Sequence, residues 1–210
     1  MTTAIATPRR RFATGQEWLD GIGNVPLDRV IFDPPPGYAT EADHVRLEEQ
    51  GQLVELIDST LVEKPMGFWE ENIGSILLSR MRIHADDHDL GLVNGPAAFM
   101  FTEDGDLRAP DVTFTSKARV PKTREPRPQL SPDLIVEVLS PSNTQREIER
   151  KLRDFFAGGT RLAWVVDPST RTVAIHRGGV GPAVKIDTSG TLDGEDVLPG
   201  FSMPISKLFS

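Results

Sequence analysis

The chain has 210 residues, with 31 Asp plus Glu against 23 Lys plus Arg for a formal charge of −8, 38% hydrophobic residues and no cysteine. That length and apolar content suffice for one well-buried core and argue against disorder throughout, while the lack of cysteine excludes disulfides, thiolate zinc sites, iron–sulfur clusters and a cysteine nucleophile. No apolar run approaches the roughly 18–20 residues of a membrane span, and no apolar stretch of a secretory leader follows Arg9, Arg10 and Arg11, so a cytoplasmic protein is expected.

Residues 1–39 are rich in Pro, Gly and Arg, and Asp33-Pro34-Pro35-Pro36-Gly37 suits neither helix nor inner strand. They read as a partly irregular N-terminal arm with a short helix around Gln16 to Asp20. The compact domain is expected over 40–210, opening with a helix capped by Thr40. Leu53 to Ile57, the turn at Asp58-Ser59-Thr60, and Leu61 to Glu63 then form a β-hairpin. Gly67 to about His88 carries Ile73, Ile76, Leu77, Leu78 and Met81 at helical spacing. Short strands follow around Leu92–Val93 and Ala97–Phe101, and a longer one from about Ala109 to Thr115. A proline-studded loop runs from Ser116 to Ser131, and a strongly apolar strand from Asp133 to Leu139 ends at Ser140-Pro141-Ser142. A helix from about Thr144 to Ala157 stops at Gly158-Gly159. Arg161 to Asp167 and Thr172 to His176 form a further strand pair, and the tail adds a last strand and turn. This order gives a mixed α/β (α+β) fold around one central sheet.

The informative residues are acids that interrupt otherwise apolar strands. A period of two puts Glu137 on the face of Ile135 and Leu139, and Glu55 on the face of Leu53 and Ile57. A carboxylate there costs several kcal/mol unless it is paired, hydrogen-bonded or on a metal. Asp111 opens a third strand directly after Pro110. Three carboxylates from separate strands suggest a converging site of hard oxygen ligands, suited to Mg2+ or Mn2+; the alternative is a set of satisfied structural ion pairs. Lys151 lies at the border of the stripe formed by Ile148, Leu152, Phe155 and Phe156. It could reach a cleft, or merely pair with Glu147 one turn away.

Ala109-Pro110-Asp111-Val112, the run from Pro132 through Glu137 to Ser142, Lys151 on the next helix, and Trp164-Val165-Val166-Asp167-Pro168 together resemble the Uma-two family. Its members are restriction-endonuclease-like proteins of the PD-(D/E)XK nuclease superfamily. Glu55-Leu56-Ile57-Asp58 and Leu198-Pro199-Gly200-Phe201 are similar to it as well, so the resemblance runs from about Glu41 to Phe209. It implies a restriction-endonuclease-like central mixed sheet flanked by helices, with Asp111 and Glu137 as metal-binding acids, Glu55 as a further acid and Lys151 as the catalytic lysine. The superfamily's usual lysine, two residues after the acid, is replaced here by Leu139, and the helix supplies Lys151 instead. Phe155 stands where an aromatic hydroxyl is often found.

The expected chemistry is metal-dependent hydrolysis of DNA, with Asp111, Glu137 and the Val138 carbonyl on the ion and Glu55 holding a second ion or a water. The net negative charge at first disfavours nucleic acid, but the loop 116–131 gathers Lys117, Arg119, Lys122, Arg124 and Arg127 against Glu125 alone. Such a loop could lie over a phosphate backbone beside the metal, or be an ordinary solvated loop. A homodimer is expected by analogy with nucleases that cut both strands. The alternative function is a nuclease fold that no longer cuts and serves as a binding module. His84 and His88, one helical turn apart, are a lesser candidate metal pair.

Overall fold

The computed structural model describes residues 12–65, 67–181 and 183–210, so Arg9, Arg10 and Arg11 lie outside the described residues. The fold is mixed α+β. Its larger sheet has six strands: β4 (Gly91–Asn94), β7 (Val112–Ser116), β8 (Leu134–Val138), β9 (Leu162–Asp167), β10 (Thr172–Arg177) and β11 (Val184–Ile186). Their spatial order is β11-β10-β9-β8-β7-β4, with β8 and β9 parallel and the other neighbours antiparallel. The second sheet is antiparallel, in the order β1 (Val30–Ile31), β3 (Thr60–Glu63), β2 (Val54–Ile57), β6 (Leu107–Arg108), β5 (Met100–Phe101). A small ribbon of β12 (Thr191–Asp193) and β13 (Ser202–Pro204) closes the chain.

Strand alternation decides what each face meets. Leu134, Val136 and Val138 of β8, with Leu162, Trp164 and Val166 of β9, pack against Ile73, Leu77 and Met81 of α3 (Phe68–Asp87). The opposite face presents Ile135, Ala163 and Val165 to Ile148, Leu152 and Phe155 of α4 (Gln145–Ala157). Glu137, next after Val136, faces the α4 side and pairs in register with Val165. In the second sheet Val54, Leu56 and Leu61 pack with Leu47 of α2 (Glu41–Glu49). Ile57 and Val62 face the other way, toward Ile22 and Val25.

Both capped helices start as the sequence indicates. Thr40 and Thr144 each form a reciprocal capping box, with Asp43 and Glu147 respectively. The segment before Thr40 packs on the second sheet, through Trp18 and Leu19 around α1 (Gly15–Gly21) and through β1, which pairs with β3. The strand expected from about Ala109 to Thr115 starts only at Val112 and runs to Ser116 in the first sheet, while Leu107–Arg108, ahead of Pro110, is a separate strand of the second. Among the described residues, no helix is long and apolar enough to cross a membrane.

Candidate active site

The segment Ala109-Pro110-Asp111 links β6 of one sheet to β7 of the other, and this link gathers the predicted acids. Asp111 donates its amide to Val136 O at 3.0 Å, and its Oδ2 accepts from the Val138 amide at 2.6 Å, fixing the carboxylate beside the end of β8. Glu55, from β2, accepts from the Ala109 amide at 3.0 Å on Oε1 and from Arg108 Nη1 at 3.1 Å on Oε2. Lys151 enters from α4, its Nζ 2.8 Å from Glu55 Oε1, 2.8 Å from Glu137 Oε1 and 3.3 Å from Ala109 O. The surface pair with Glu147 is not what forms: Arg29 takes Glu147 bidentately, at 3.0 and 2.7 Å.

A second lysine, which the sequence reading passed over, completes the cluster. Lys64 Nζ lies 2.8 Å from Asp111 Oδ1 and donates to Ala109 O at 2.7 Å. The signal was present in the hairpin. Val62 pairs with Glu55, and continuing the period of two along the strand puts Lys64 on that same face.

Burial and charge separate the three acids. Burial would raise the Glu55 carboxyl, but Lys151, Arg108 and Lys64 together with the Ala109 amide outweigh it and hold it well below the usual range. Glu137 is pushed up to about 7, chiefly by burial with Asp111 and Glu55 adding, against the pull of Lys151 and Lys64. Lys151 is itself buried, which disfavours its charge, yet Glu137, Glu55 and Asp111 more than offset this and raise it above the ordinary lysine value. A carboxyl raised in the folded state contributes stability below its unfolded pKa and loses it as pH rises through the folded value. The window for Glu137 therefore runs from its ordinary 4.5 to about 7. Glu137→Gln, measured by thermal melts in EDTA, is expected to gain stability relative to the parent as pH rises from roughly 5 to 8; a constant difference would refute the raised carboxyl.

Asp111, Glu137 and Val138 line one cleft together with Lys64 and Lys151. The donor set suits a hard divalent cation of the Mg2+ type, which takes one or two carboxylates and keeps several waters. Glu137 Oε1 carries no well-directed hydrogen bond although it lies 2.8 Å from Lys151 Nζ, so a buried acceptor retains capacity. Glu55 differs, because the Ala109 amide and Arg108 already hydrogen-bond to its two oxygens. Among the described residues, no three His, Asp or Glu side chains form a metal-ligand group. The residues thus fit one ion on two carboxylates, with Glu55 behind Lys151.

The basic loop is placed differently from expectation. It leaves β7 at Ser116 and rejoins β8 at Leu134, whereas Asp111 and Glu137 stand at the other ends of those antiparallel strands, roughly 13 Å away. Lys117 pairs with Asp89, Arg119 with Asp133 at 3.1 Å, and Arg127 with Glu48. Lys122 and Arg124 are exposed. None of the five lines the cleft. The loop runs instead to β5, where Phe101 bonds with Pro128 and Leu130, and to α2 through Arg127, so these contacts do not bring it beside Asp111 and Glu137. His84 Nε2 donates to Pro199 O at 2.9 Å, and His88 Nδ1 donates to His84 O at 2.9 Å, so these rings serve the end of α3.

The rim of the cleft toward α3 is formed by Pro65, Glu70, Gly74 and Leu78, next to Asp111. Phe68 and Trp69 open that helix largely exposed, at 80% and 68%, with their rings edge to face.

Comparison with known proteins bears on this geometry. A family model described as Uma2, putative restriction endonuclease, matches residues 41–206. No curated protein matches the chain. Among solved structures, a putative nuclease belonging to DUF820 from Anabaena variabilis superposes with a TM-score of 0.71 at 20% identity, covering 81% of this chain and 97% of the other. At that identity the likeness shows the fold.

Proposed function

The chain belongs to the Uma2 family, and from that footing we propose that it is a divalent-metal-dependent endonuclease that hydrolyses phosphodiester bonds of DNA. One observation carries the reading: Asp111 and Glu137, from adjacent strands, share a cleft with a buried lysine held between two carboxylates.

Asp111, Glu137 and the Val138 carbonyl would hold Mg2+ or Mn2+. Bound there, the ion would polarise a phosphate oxygen and acidify an attacking water. Asp111 is positioned for this by the Val138 amide, which aims its carboxylate along the cleft. Lys151 keeps its charge between Glu55 and Glu137 and directs an ammonium at the place where a phosphate would gain negative charge. Glu55, tied to Arg108 and Ala109, fixes Lys151 rather than binding the ion directly. Cutting both strands of a duplex needs two such clefts, which a homodimer would supply. Lys122 and Arg124 remain available for more distant phosphates.

Calorimetric titration with Mn2+ tests the reading against its rival, a nuclease fold that binds without cutting. One ion per chain is expected, and a protein that takes up none would remove the metal-dependent mechanism. Lys151→Met separates binding from chemistry. It is expected to leave Mn2+ binding in place while lowering the cleavage rate by about 10²-fold or more, the usual effect of deleting one charge-stabilising donor. Cleavage at the parent rate would assign Lys151 to structure alone.

A further inference from the structure

We propose that Lys64 is the built-in competitor of the metal ion, a positioning residue whose ammonium holds the Asp111 carboxylate and must yield that oxygen when a divalent cation and a phosphate enter. The inference rests on the metal-dependent reading above and adds a residue that the reading does not use.

Three observations carry it. Lys64 Nζ lies 2.8 Å from Asp111 Oδ1, the oxygen left over after Oδ2 has accepted the Val138 amide. A cation on Asp111 and the Lys64 ammonium therefore contend for the same atom. Second, Lys64 and Lys151 converge on one carbonyl, Ala109 O, at 2.7 and 3.3 Å, so two ammonium groups already crowd the cleft. Third, Lys64 and Lys151 already sit against Asp111, Glu55 and Glu137 in the same space, so ammonium groups occupy the carboxylates a cation would need. Two further positive charges enter this largely buried cluster at lower cost when an ammonium or a proton withdraws or an anion arrives.

Lys64 is suited to withdraw. It follows β3 directly, its side chain reaches the cleft from one edge, and the rim opens beside it at Pro65. A flexible four-carbon stem can carry its point charge from a carboxylate to a phosphate oxygen, a move a planar guanidinium makes less readily. Lys151, fixed between two acids, has no such freedom. The consequence is weak metal affinity without substrate and stronger affinity once a phosphate draws the Lys64 ammonium away.

Mn2+ binding to the full chain, measured by calorimetry without DNA, tests this. Lys64→Met is expected to bind Mn2+ at least about tenfold tighter than the parent, and Lys64→Arg, which keeps the charge, no tighter than the parent. Circular dichroism and melting establish that each variant is folded. Should Lys64→Met fail to fold, Lys64→Gln, which keeps a donor for Ala109 O, carries the same expectation. Parent and neutral variants binding Mn2+ equally, or the neutral variants binding more weakly, would overturn the role of Lys64 and leave the proposed function standing. Absence of binding in every form would overturn both.

Discussion

Glu137→Gln is expected to lower Mg2+-dependent DNA cleavage by at least about 10³-fold, close to 4 kcal/mol of transition-state stabilisation. Gln keeps the shape of the side chain and removes only its ability to become an anion. Since burial pushes the Glu137 carboxyl up to about 7, the parent carries a largely neutral side chain below that pH, and the substitution is mild for folding there. Holding a cation would require the Glu137 carboxylate, which Gln cannot supply. Asp111→Asn is expected to be as severe for cleavage, and milder for folding than Asp111→Ala, because the amide oxygen still accepts from Val138 N. Initial rates of plasmid nicking check both, and a Gln variant that retained a tenth of the parent rate would exclude Glu137 as an essential ligand.

Arg108→Met is expected to be the most destabilising single change, costing about 3–5 kcal/mol as a broken buried ion network does. Arg108 is 1% exposed and touches Glu55 Oε2 at 3.1 Å, Asp154 Oδ2 at 2.8 Å and Asp106 Oδ2 at 3.8 Å. It joins the second sheet to α4. Arg150 supports the same network through Asp106 and Asp58, both at 2.8 Å. Removing Arg108 strands Glu55 and Asp154 in the interior, and Glu55 then holds Lys151 less firmly. For a chain of this size the melting temperature should fall by roughly 6–20 °C. The deficit should narrow on acidification, as the stranded carboxyls take up protons. A drop under 2 °C, below the roughly 2–4 °C that 1 kcal/mol produces, would show the network to be dispensable.

Much of the fold is legible where apolar residues keep a period over many positions. α3 and α4 appear at their expected places because Ile73 to Met81 and Ile148 to Phe155 each present one consistent face, and β8 because Leu134 to Val138 is apolar on both faces but for Glu137. Strands of two or three residues, such as β5, β6, β11 and β12, are too short to show a period, and their pairing partners are distant in sequence. Pro110 marks the crossing from one sheet to the other, yet a lone proline reads equally well as a strand start.

The site divides in the same way. Glu137 and Glu55 announce themselves as charges on apolar faces, and burial of both agrees with that. Lys151 was recognisable through family resemblance, since its helical position permits a surface pair that Arg29 in fact displaces by occupying Glu147. Lys64 ends an ordinary hairpin and acquires meaning only when Asp111 is brought beside it by β7. The course of the basic loop 116–131 is not legible from its charge, because it is set by contacts distant in sequence, with Phe101 of β5 and Glu48 of α2.

Cleavage of supercoiled plasmid by the parent protein, in Mg2+ and in EDTA and beside Glu137→Gln purified identically, tests the central claim most directly. Nicked and linear products that require Mg2+ and vanish with the Gln variant are the predicted result. Cutting that persists in EDTA, or that is equal in parent and variant, would contradict it.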